Sequence, residues 1–158
     1  MATSEPHITH QRLAELTTAG IPPHYHTYFA GLRLDGLTEK LGIKFQHLSP
    51  EYSVATMLVE GNTQVIGLLH GGATAALAET LGSVAAFLSV AEQGKVAVGV
   101  DLNITHLRSA SRGVVTGVCR SLKLGKTVCV HSVEITDESG RVISTARITN
   151  QIIDAPHR

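Results

Sequence analysis

The segment from Gly71 to Ala91 constrains the fold more than any other part of the sequence, because it is apolar or small throughout and contains one charged residue, Glu79. Bulky aliphatic residues recur along it at helical spacing: Leu77, Leu81, Val84 and Leu88. The remaining faces carry mostly Ala, Gly, Ser and Thr, so the predicted helix has no polar face to present to water. We expect it to be buried with its backbone close to a sheet, and to end near Gly94. The acid and the small polar residues argue against a membrane span.

Strand patterns lie on both sides of this helix. Before it, residues 43–48 and 52–59 read as two strands joined by a turn at Ser49–Pro50. After it, four further segments read as strands: 96–107, 113–124, 127–136 and 141–153. The last two breaks are short enough for hairpins. The predicted fold class is therefore α+β, with two strands and a four-stranded meander forming an antiparallel sheet wrapped around one long central helix.

The N-terminal part of the chain lacks the strand patterns of the rest. Residues 1–40 are predicted to form an arm with short helices, followed by one domain over residues 41–158. Thr9 is a suitable N-cap for a helix that Gly20 and the Pro22–Pro23 pair would end. A second short helix is expected around residues 37–41.

Composition excludes several classes of protein. The formal net charge is zero, so general electrostatic attraction to nucleic acid is not expected. The N-terminus has no basic segment followed by an apolar run, and so predicts no secretory signal. Cys119 and Cys129 are too few for a disulfide framework, and free thiols fit a reducing cytoplasm.

Glu79 is the most informative single residue. Burying a carboxylate without partners costs roughly several kcal/mol or raises the pKa of the group, so an acid in a buried helix needs a reason. One interpretation is structural, with Glu79 facing a subunit contact or pairing with a basic residue of the sheet. The other is catalytic. Ser83 lies one turn further along the same face, where it can orient the carboxylate or a water molecule.

A second group of candidates precedes the helix. Glycines at a helix start allow a ligand to approach backbone N–H groups, where the helix dipole favours negative charge. In His70–Gly71–Gly72 such an N–H could stabilise the oxyanion of a polarised carbonyl, although the glycines also suit a tight turn. Gln64 could add a hydrogen bond. Gly71 and Glu79 are more than two turns apart, which favours a groove shared between subunits.

Other side chains support weaker hypotheses. Arg108 and Arg112 flank a strand end and could bind phosphates, as could the Gly125–Lys126 turn, but solvated loop charges would look the same. The nine histidines have no metal-binding spacing, so no metal site is predicted. A thiol nucleophile formed by Cys119 and His131 is disfavoured, because cysteines in strand cores are usually inert.

Three stretches of sequence carry a resemblance to a known family: GLLHGGATAALAETLGSVAA, GVDLNITHLRSASRGVVTGVCRSLKLGK and EITDESGRVISTARIT. Together they closely resemble the hotdog-fold thioesterase superfamily over about residues 43–153. The nearest branch contains 1,4-dihydroxy-2-naphthoyl-CoA hydrolases and the proofreading thioesterase of enterobactin synthesis, and is similar to 4-hydroxybenzoyl-CoA thioesterases of the glutamate type. The arm is longer than this branch leads us to expect.

The resemblance implies a curved sheet around a central helix, dimers that commonly form tetramers, and active sites at the dimer interface. It implies an acyl-CoA substrate and no cofactor, since coenzyme A is part of the substrate, and no nucleic-acid or membrane partner. By motif it assigns catalytic roles to Glu79, Gly71, His70, Gln64 and Ser83. It assigns coenzyme A binding to His106, Arg108, Ser109, Gly125 and Lys126.

The predicted activity is hydrolysis of an aromatic acyl-CoA, with 1,4-dihydroxy-2-naphthoyl-CoA as the first candidate. Two alternatives stay open from the sequence. One is a broad proofreading thioesterase that clears misloaded acyl groups from coenzyme A or a carrier protein. The other is a non-catalytic module that binds acyl-CoA, against which the intact Glu79 argues.

Overall fold

A computed structural model describes residues 8–33 and 36–155 of the chain. Its α-helices are α1 (His10–Thr18), α2 (His26–Phe29), α3 (Leu37–Lys40) and α4 (Gly71–Leu88), with 3-10 turns at Pro23–Tyr25 and Ala91–Gln93. Its strands are β1 (Lys44–His47), β2 (Tyr52–Leu58), β3 (Lys95–His106), β4 (Val114–Leu124), β5 (Val128–Thr136) and β6 (Val142–Asp154). The predicted elements are therefore all present, with α4 ending earlier than the sequence indicates, at Leu88.

All neighbouring strands in the six-stranded sheet are antiparallel, in the order β1-β2-β4-β5-β6-β3. The prediction of a four-stranded meander after α4 is therefore wrong. Only β4, β5 and β6 form a meander, whereas β3 pairs with β6 at the far edge. Strand pairing is non-local, and the five-residue break between the predicted strands, residues 108–112, gives no sign that the chain crosses the sheet there.

Close packing of α4 against one face of the sheet forms the core. A Cβ at Gly82 would lie 2.1 Å from Cγ2 of Ile148, and one at Gly117 would lie 2.7 Å from Cδ1 of Leu81. These two glycines, one on the helix and one on β4, let the helix and sheet approach more closely than larger residues would permit. By length and composition α4 could cross a membrane, but half of it is buried within the fold, as in the core helix of a globular domain.

The N-terminal arm contributes to the same hydrophobic core. Leu16, Ile21 and Phe29 are buried in the cluster that contains the α4 leucines. Thr9 caps α1 as predicted, accepting a hydrogen bond from the Arg12 N–H at 3.2 Å. Gly20, at φ +82°, turns the chain where a Cβ would lie 1.9 Å from the Phe45 carbonyl oxygen, so a side chain cannot be accommodated there.

A fully buried histidine lies on the inner face of β5. The Nε2 atom of His131 is 3.0 Å from the Pro50 carbonyl oxygen, and its Nδ1 has no hydrogen-bond partner within residues 8–33 and 36–155. Burial lowers the pKa of His131, and the hydrogen bond to Pro50 only partly opposes this effect. The folded state therefore holds this imidazole in its neutral form.

This burial predicts a specific sensitivity to acid. The unfolded chain takes up a proton at the ordinary pKa of 6.5, whereas the folded chain does so only at lower pH, so stability falls as the pH drops below that value. The fall from this one group is at most about 1.4 kcal/mol per pH unit. Urea unfolding at pH 7.5 and 5.5 should show a smaller acid loss for His131→Gln than for the wild type. His24→Gln, at an exposed position, is the matched control. Equal acid losses in all three proteins would contradict the assignment.

Candidate active site

Glu79 lies in the middle of α4, half-buried, where the helix passes beneath the edge strand β3. Its Oε1 accepts a hydrogen bond of 2.8 Å from the Ser83 hydroxyl, one turn further along the helix. On the other side it meets β3, where a Cβ at Gly99 would lie 2.3 Å from the same oxygen. The carboxylate is therefore held between a serine of its own helix and a glycine of the sheet edge.

The Ser83 hydroxyl is in turn hydrogen-bonded to β6. Asn150 donates from Nδ2 to the Ser83 oxygen at 2.9 Å, and its side chain is fully buried. Asn150 was absent from the candidates identified in the sequence. A signal for it does exist, because Asn150 occupies an inward position of β6 between Ile148 and Ile152, where an apolar residue is expected.

The start of α4 is the second part of the candidate site. His70 is its N-cap, and its Nδ1 accepts a 2.8 Å hydrogen bond from the Gly72 N–H. The Gly71 N–H, at the first helical position, makes no hydrogen bond within the described part of the chain. This N–H is thus available to a ligand, as the predicted oxyanion role requires.

His106, at the end of β3, lies directly against Gly71. A Cβ at Gly71 would be 2.7 Å from His106 Nε2, so a residue larger than glycine would displace the ring. Nδ1 of the ring is 3.0 Å from the Ser144 hydroxyl and 3.4 Å from that of Thr74, which itself donates to the Gly71 carbonyl at 2.8 Å. His106 is therefore part of the helix-start cluster as well as a neighbour of Arg108.

A cavity of about 350 Å³ opens at this cluster. It is lined by five residues predicted to be functional, namely Gln64, Gly71, His106, Arg108 and Ser109, together with Thr74, Ser144 and apolar residues. Arg108 is exposed there, and its Nη1 donates to the Val142 carbonyl at 2.7 Å. One chain thus brings together the predicted oxyanion group and the first part of the predicted coenzyme A region.

Other predicted residues lie elsewhere. Gly125 and Lys126 form the β4–β5 hairpin, where the Gly125 N–H donates to the Val128 carbonyl at 3.1 Å, and they do not line the cavity. Glu79 and Ser83 are not among its lining residues either. Glu79 lies eight positions along the helix from Gly71, or about 12 Å at a rise of 1.5 Å per residue. Within one chain, the carboxylate and the Gly71 N–H therefore form two separate half-sites.

The thiol alternative does not fit the structure. Cys119 pairs with Val133 across β4 and β5, whereas His131 pairs with Ser121, so the thiol and the imidazole are not opposite one another. Burial raises the pKa of the Cys119 thiol to about 12, which keeps it protonated at neutral pH. Among residues 8–33 and 36–155, no three histidine, cysteine, aspartate or glutamate side chains are grouped as metal ligands would be.

The family model for the thioesterase superfamily matches residues 66–144, half of the chain, including α4 and both half-sites. The chain belongs to the thioesterase superfamily. Curated relatives agree with this assignment. The 1,4-dihydroxy-2-naphthoyl-CoA hydrolase of Escherichia coli is 46% identical over 114 residues, covering 72% of this chain and 83% of the relative. The proofreading thioesterase EntH of Cronobacter turicensis is 43% identical over 118 residues, covering 74% and 85%.

A solved structure extends the comparison to the whole fold. The crystal structure of a mutant thioesterase from Pseudomonas aeruginosa matches with a TM-score of 0.74 at 29% identity, covering 96% of this chain and 98% of that one. A match of that extent includes most of the N-terminal arm. This protein therefore has the predicted hotdog fold, and it is a thioesterase.

The close contact between Gly99 and Glu79 predicts a separation of activity from stability. In Gly99→Ala the new methyl group would force the carboxylate to move, because the Glu79 side chain is the flexible partner in that contact. A misplacement of about 1 Å can cost about 100-fold in rate, so we expect kcat for thioester hydrolysis to fall by at least about tenfold. The free energy of unfolding should change by less than about 1 kcal/mol, since alanine is tolerated in strands at least as well as glycine.

Steady-state thioesterase kinetics and urea unfolding test this prediction together. Gly31→Ala is the control, because a Cβ at that position has no heavy atom of residues 8–33 and 36–155 within 4 Å beyond its chain neighbours, and we expect it to leave kcat unchanged. Wild-type kcat in Gly99→Ala would show that the position of the Glu79 carboxylate does not limit the reaction.

Proposed function

We propose that this thioesterase hydrolyses an aromatic acyl-CoA, with 1,4-dihydroxy-2-naphthoyl-CoA as the first candidate, at sites formed between two copies of the chain. The observation that carries the proposal is the placement of the two half-sites along one edge strand. Glu79 lies against β3 at Gly99, and Gly71 lies against the same strand at His106.

The edge strand suits pairing with a second copy. On one side β3 is bonded to β6, and on the other it has no strand partner within the described chain. It exposes apolar residues, with Val98 40% and Val100 56% accessible, which is unfavourable for an edge that faces water. Antiparallel pairing of two β3 strands about a two-fold axis between Leu102 and Asn103 would place Gly99 of each copy opposite His106 of the other. The Glu79 carboxylate of one copy would then approach the Gly71 N–H of the other.

This arrangement supports a two-sided attack on a thioester. The Gly71 N–H polarises the carbonyl and stabilises the oxyanion, with His70 and Gln64 as further polar groups beside it. In one route Glu79, oriented by Ser83, attacks the carbonyl to form an acyl-enzyme anhydride, which water then hydrolyses to the free acid and the carboxylate. In the other route Glu79 removes a proton from a water molecule that attacks the carbonyl. Both routes begin from the ionised carboxylate and release the coenzyme A thiolate.

Coenzyme A binding is assigned to the exposed polar groups around the cavity mouth. Arg108 uses one N–H to hold the Val142 carbonyl, which fixes its guanidinium while the other donors stay accessible to phosphate. His106 and Ser109 lie beside it in the lining of the cavity. Gly125 and Lys126 would contact another part of the nucleotide. The reaction needs no cofactor beyond the coenzyme A of the substrate.

The curated relatives support two versions of the biological role. The E. coli relative is named for 1,4-dihydroxy-2-naphthoyl-CoA, which favours a dedicated hydrolase acting in menaquinone biosynthesis. The EntH relative is named for proofreading, which favours a broader enzyme that removes misloaded acyl groups. We propose a cytoplasmic location, supported by the two buried free cysteines, and assembly of the dimers into tetramers as in the family.

Substitution of Glu79 tests the reaction and the residue together. Glu79→Gln keeps the size of the side chain but removes the charge, so we expect kcat to fall by at least about 1,000-fold without loss of folding. Release of free thiol from a panel of aromatic and aliphatic acyl-CoAs should be fast for aryl and naphthoyl thioesters in the wild type. Glu134→Gln, at an exposed position of β5, is the matched control. Near-wild-type hydrolysis by Glu79→Gln would refute the assignment, and equal rates across the panel would favour the proofreading role.

The Arg108 assignment makes a different kinetic prediction. Because Arg108 would hold a non-reacting part of the substrate, Arg108→Ala should raise KM by about tenfold and change kcat by less than about threefold. Free coenzyme A should also inhibit this variant less strongly than the wild type. Arg120→Ala is the control, since Arg120 packs over the Tyr52 ring on β2. A loss confined to kcat would contradict a role in binding the nucleotide.

A further inference from the structure

Asn150 is an unexpected residue for its position in the fold. The inward-facing row of β6 continues from Ile148, which is 0% exposed, through Asn150, also 0% exposed, to Ile152 at 7%. The amide oxygen of Asn150 has no hydrogen-bond partner among the side chains and backbone of residues 8–33 and 36–155. A buried amide with one end unpaired is less favourable than an apolar residue of similar size. Stability of the sheet therefore does not explain why an asparagine occupies this position.

The other end of the amide points to the proposed catalytic carboxylate. Nδ2 donates to the Ser83 oxygen at 2.9 Å, and the Ser83 hydroxyl donates to Glu79 Oε1 at 2.8 Å. A carboxylate can only accept, so the one proton of the serine must point towards Glu79. The serine oxygen then needs a donor, and the Asn150 amide supplies it. The three side chains form a directed chain that runs from the sheet to the carboxylate.

We propose that Asn150 is a positioning residue for the thioesterase reaction, which fixes the Ser83 hydroxyl so that it orients Glu79 for attack. This inference rests on the proposed role of Glu79. Asn150 itself does not touch the substrate or the reacting atoms. Its effect is transmitted through one hydrogen bond to Ser83.

The position of Asn150 in the sheet makes it a rigid support. Its backbone lies between two strands, paired with Cys129 of β5 on one side and with Gly99 of β3 on the other. Gly99 is the residue that limits the carboxylate from the edge strand. The paired residues Gly99 and Asn150 thus both constrain Glu79, Gly99 by direct contact and Asn150 through Ser83. A catalytic group supported from a strand in this way is held more precisely than one supported from a loop.

A double-mutant cycle separates this role from a structural one. Asn150→Val removes the donor and suits a strand, and Ser83→Ala removes the middle group. Each single variant should lower kcat for acyl-CoA hydrolysis by about tenfold, with KM changed less than threefold, because the hydrogen bond acts on the reacting carboxylate. The double variant should have a kcat within about twofold of Ser83→Ala, since Asn150 acts only through that hydroxyl.

Several outcomes would overturn the proposal. Losses in kcat that multiply in the double variant would show that Asn150 acts independently of Ser83, and wild-type kcat in Asn150→Val would show that it has no role in catalysis. Ile148→Val, a buried substitution on the same row that leaves the chain of hydrogen bonds intact, should lower the melting temperature without lowering kcat. If valine prevents folding, Asn150→Ala replaces it in the same cycle, with the same expected kcat values.

The result for Glu79→Gln distinguishes failure of the proposed function from failure of the positioning role. Full activity in that variant would overturn both the proposed function and the role of Asn150. An inactive Glu79→Gln variant combined with multiplying losses in the Asn150 and Ser83 cycle would leave the catalytic assignment intact and refute only the positioning role.

Discussion

The close approach of α4 to the sheet is the constraint on which the rest of this structure depends. The helix has no polar face, so most of its surface must be covered, and glycines on both sides of the contact allow the two backbones to come together. Gly82 is packed under Ile148, and Gly117 lies under Leu81. The N-terminal arm adds to this core through Leu16, Ile21 and Phe29. The five strands from β2 to β6 all contact this one helix.

A carboxylate can be placed on such a helix only where the sheet does not cover the helix completely. Glu79 meets that condition because it lies beneath the edge strand, where it is half-buried and the nearest strand residue, Gly99, has no side chain. Its polar neighbours are themselves supplied by the core, with Ser83 on the helix and Asn150 on β6. An asparagine thus replaces an apolar residue on the inward face of β6, next to the acid that it supports. Such local losses of stability are common at functional sites.

The same edge strand accounts for the division of the site. Glu79 and Gly71 are on one helix, but its length keeps them about 12 Å apart, too far to act on one carbonyl from the same chain. Both contact β3, at Gly99 and at His106. A two-fold axis between Leu102 and Asn103 would turn this separation into a complementary pair of sites, which is the physical basis for the dimer we propose.

Much of this architecture is readable from the sequence because it depends on local chemistry. The Thr9 cap, the start of the central helix, the two final hairpins and the isolated acid follow from side-chain spacing and turn residues within a few positions of one another. Two features cannot be read from local sequence: the pairing of β3 with β6 at the far edge of the sheet, and the hydrogen bond from Asn150 to Ser83. Both join segments that are distant along the chain. The sequence marks Asn150 only as a polar residue in the inward row of its strand. The tertiary structure alone brings it to the carboxylate, since register and strand order decide which inward-facing side chains meet the helix.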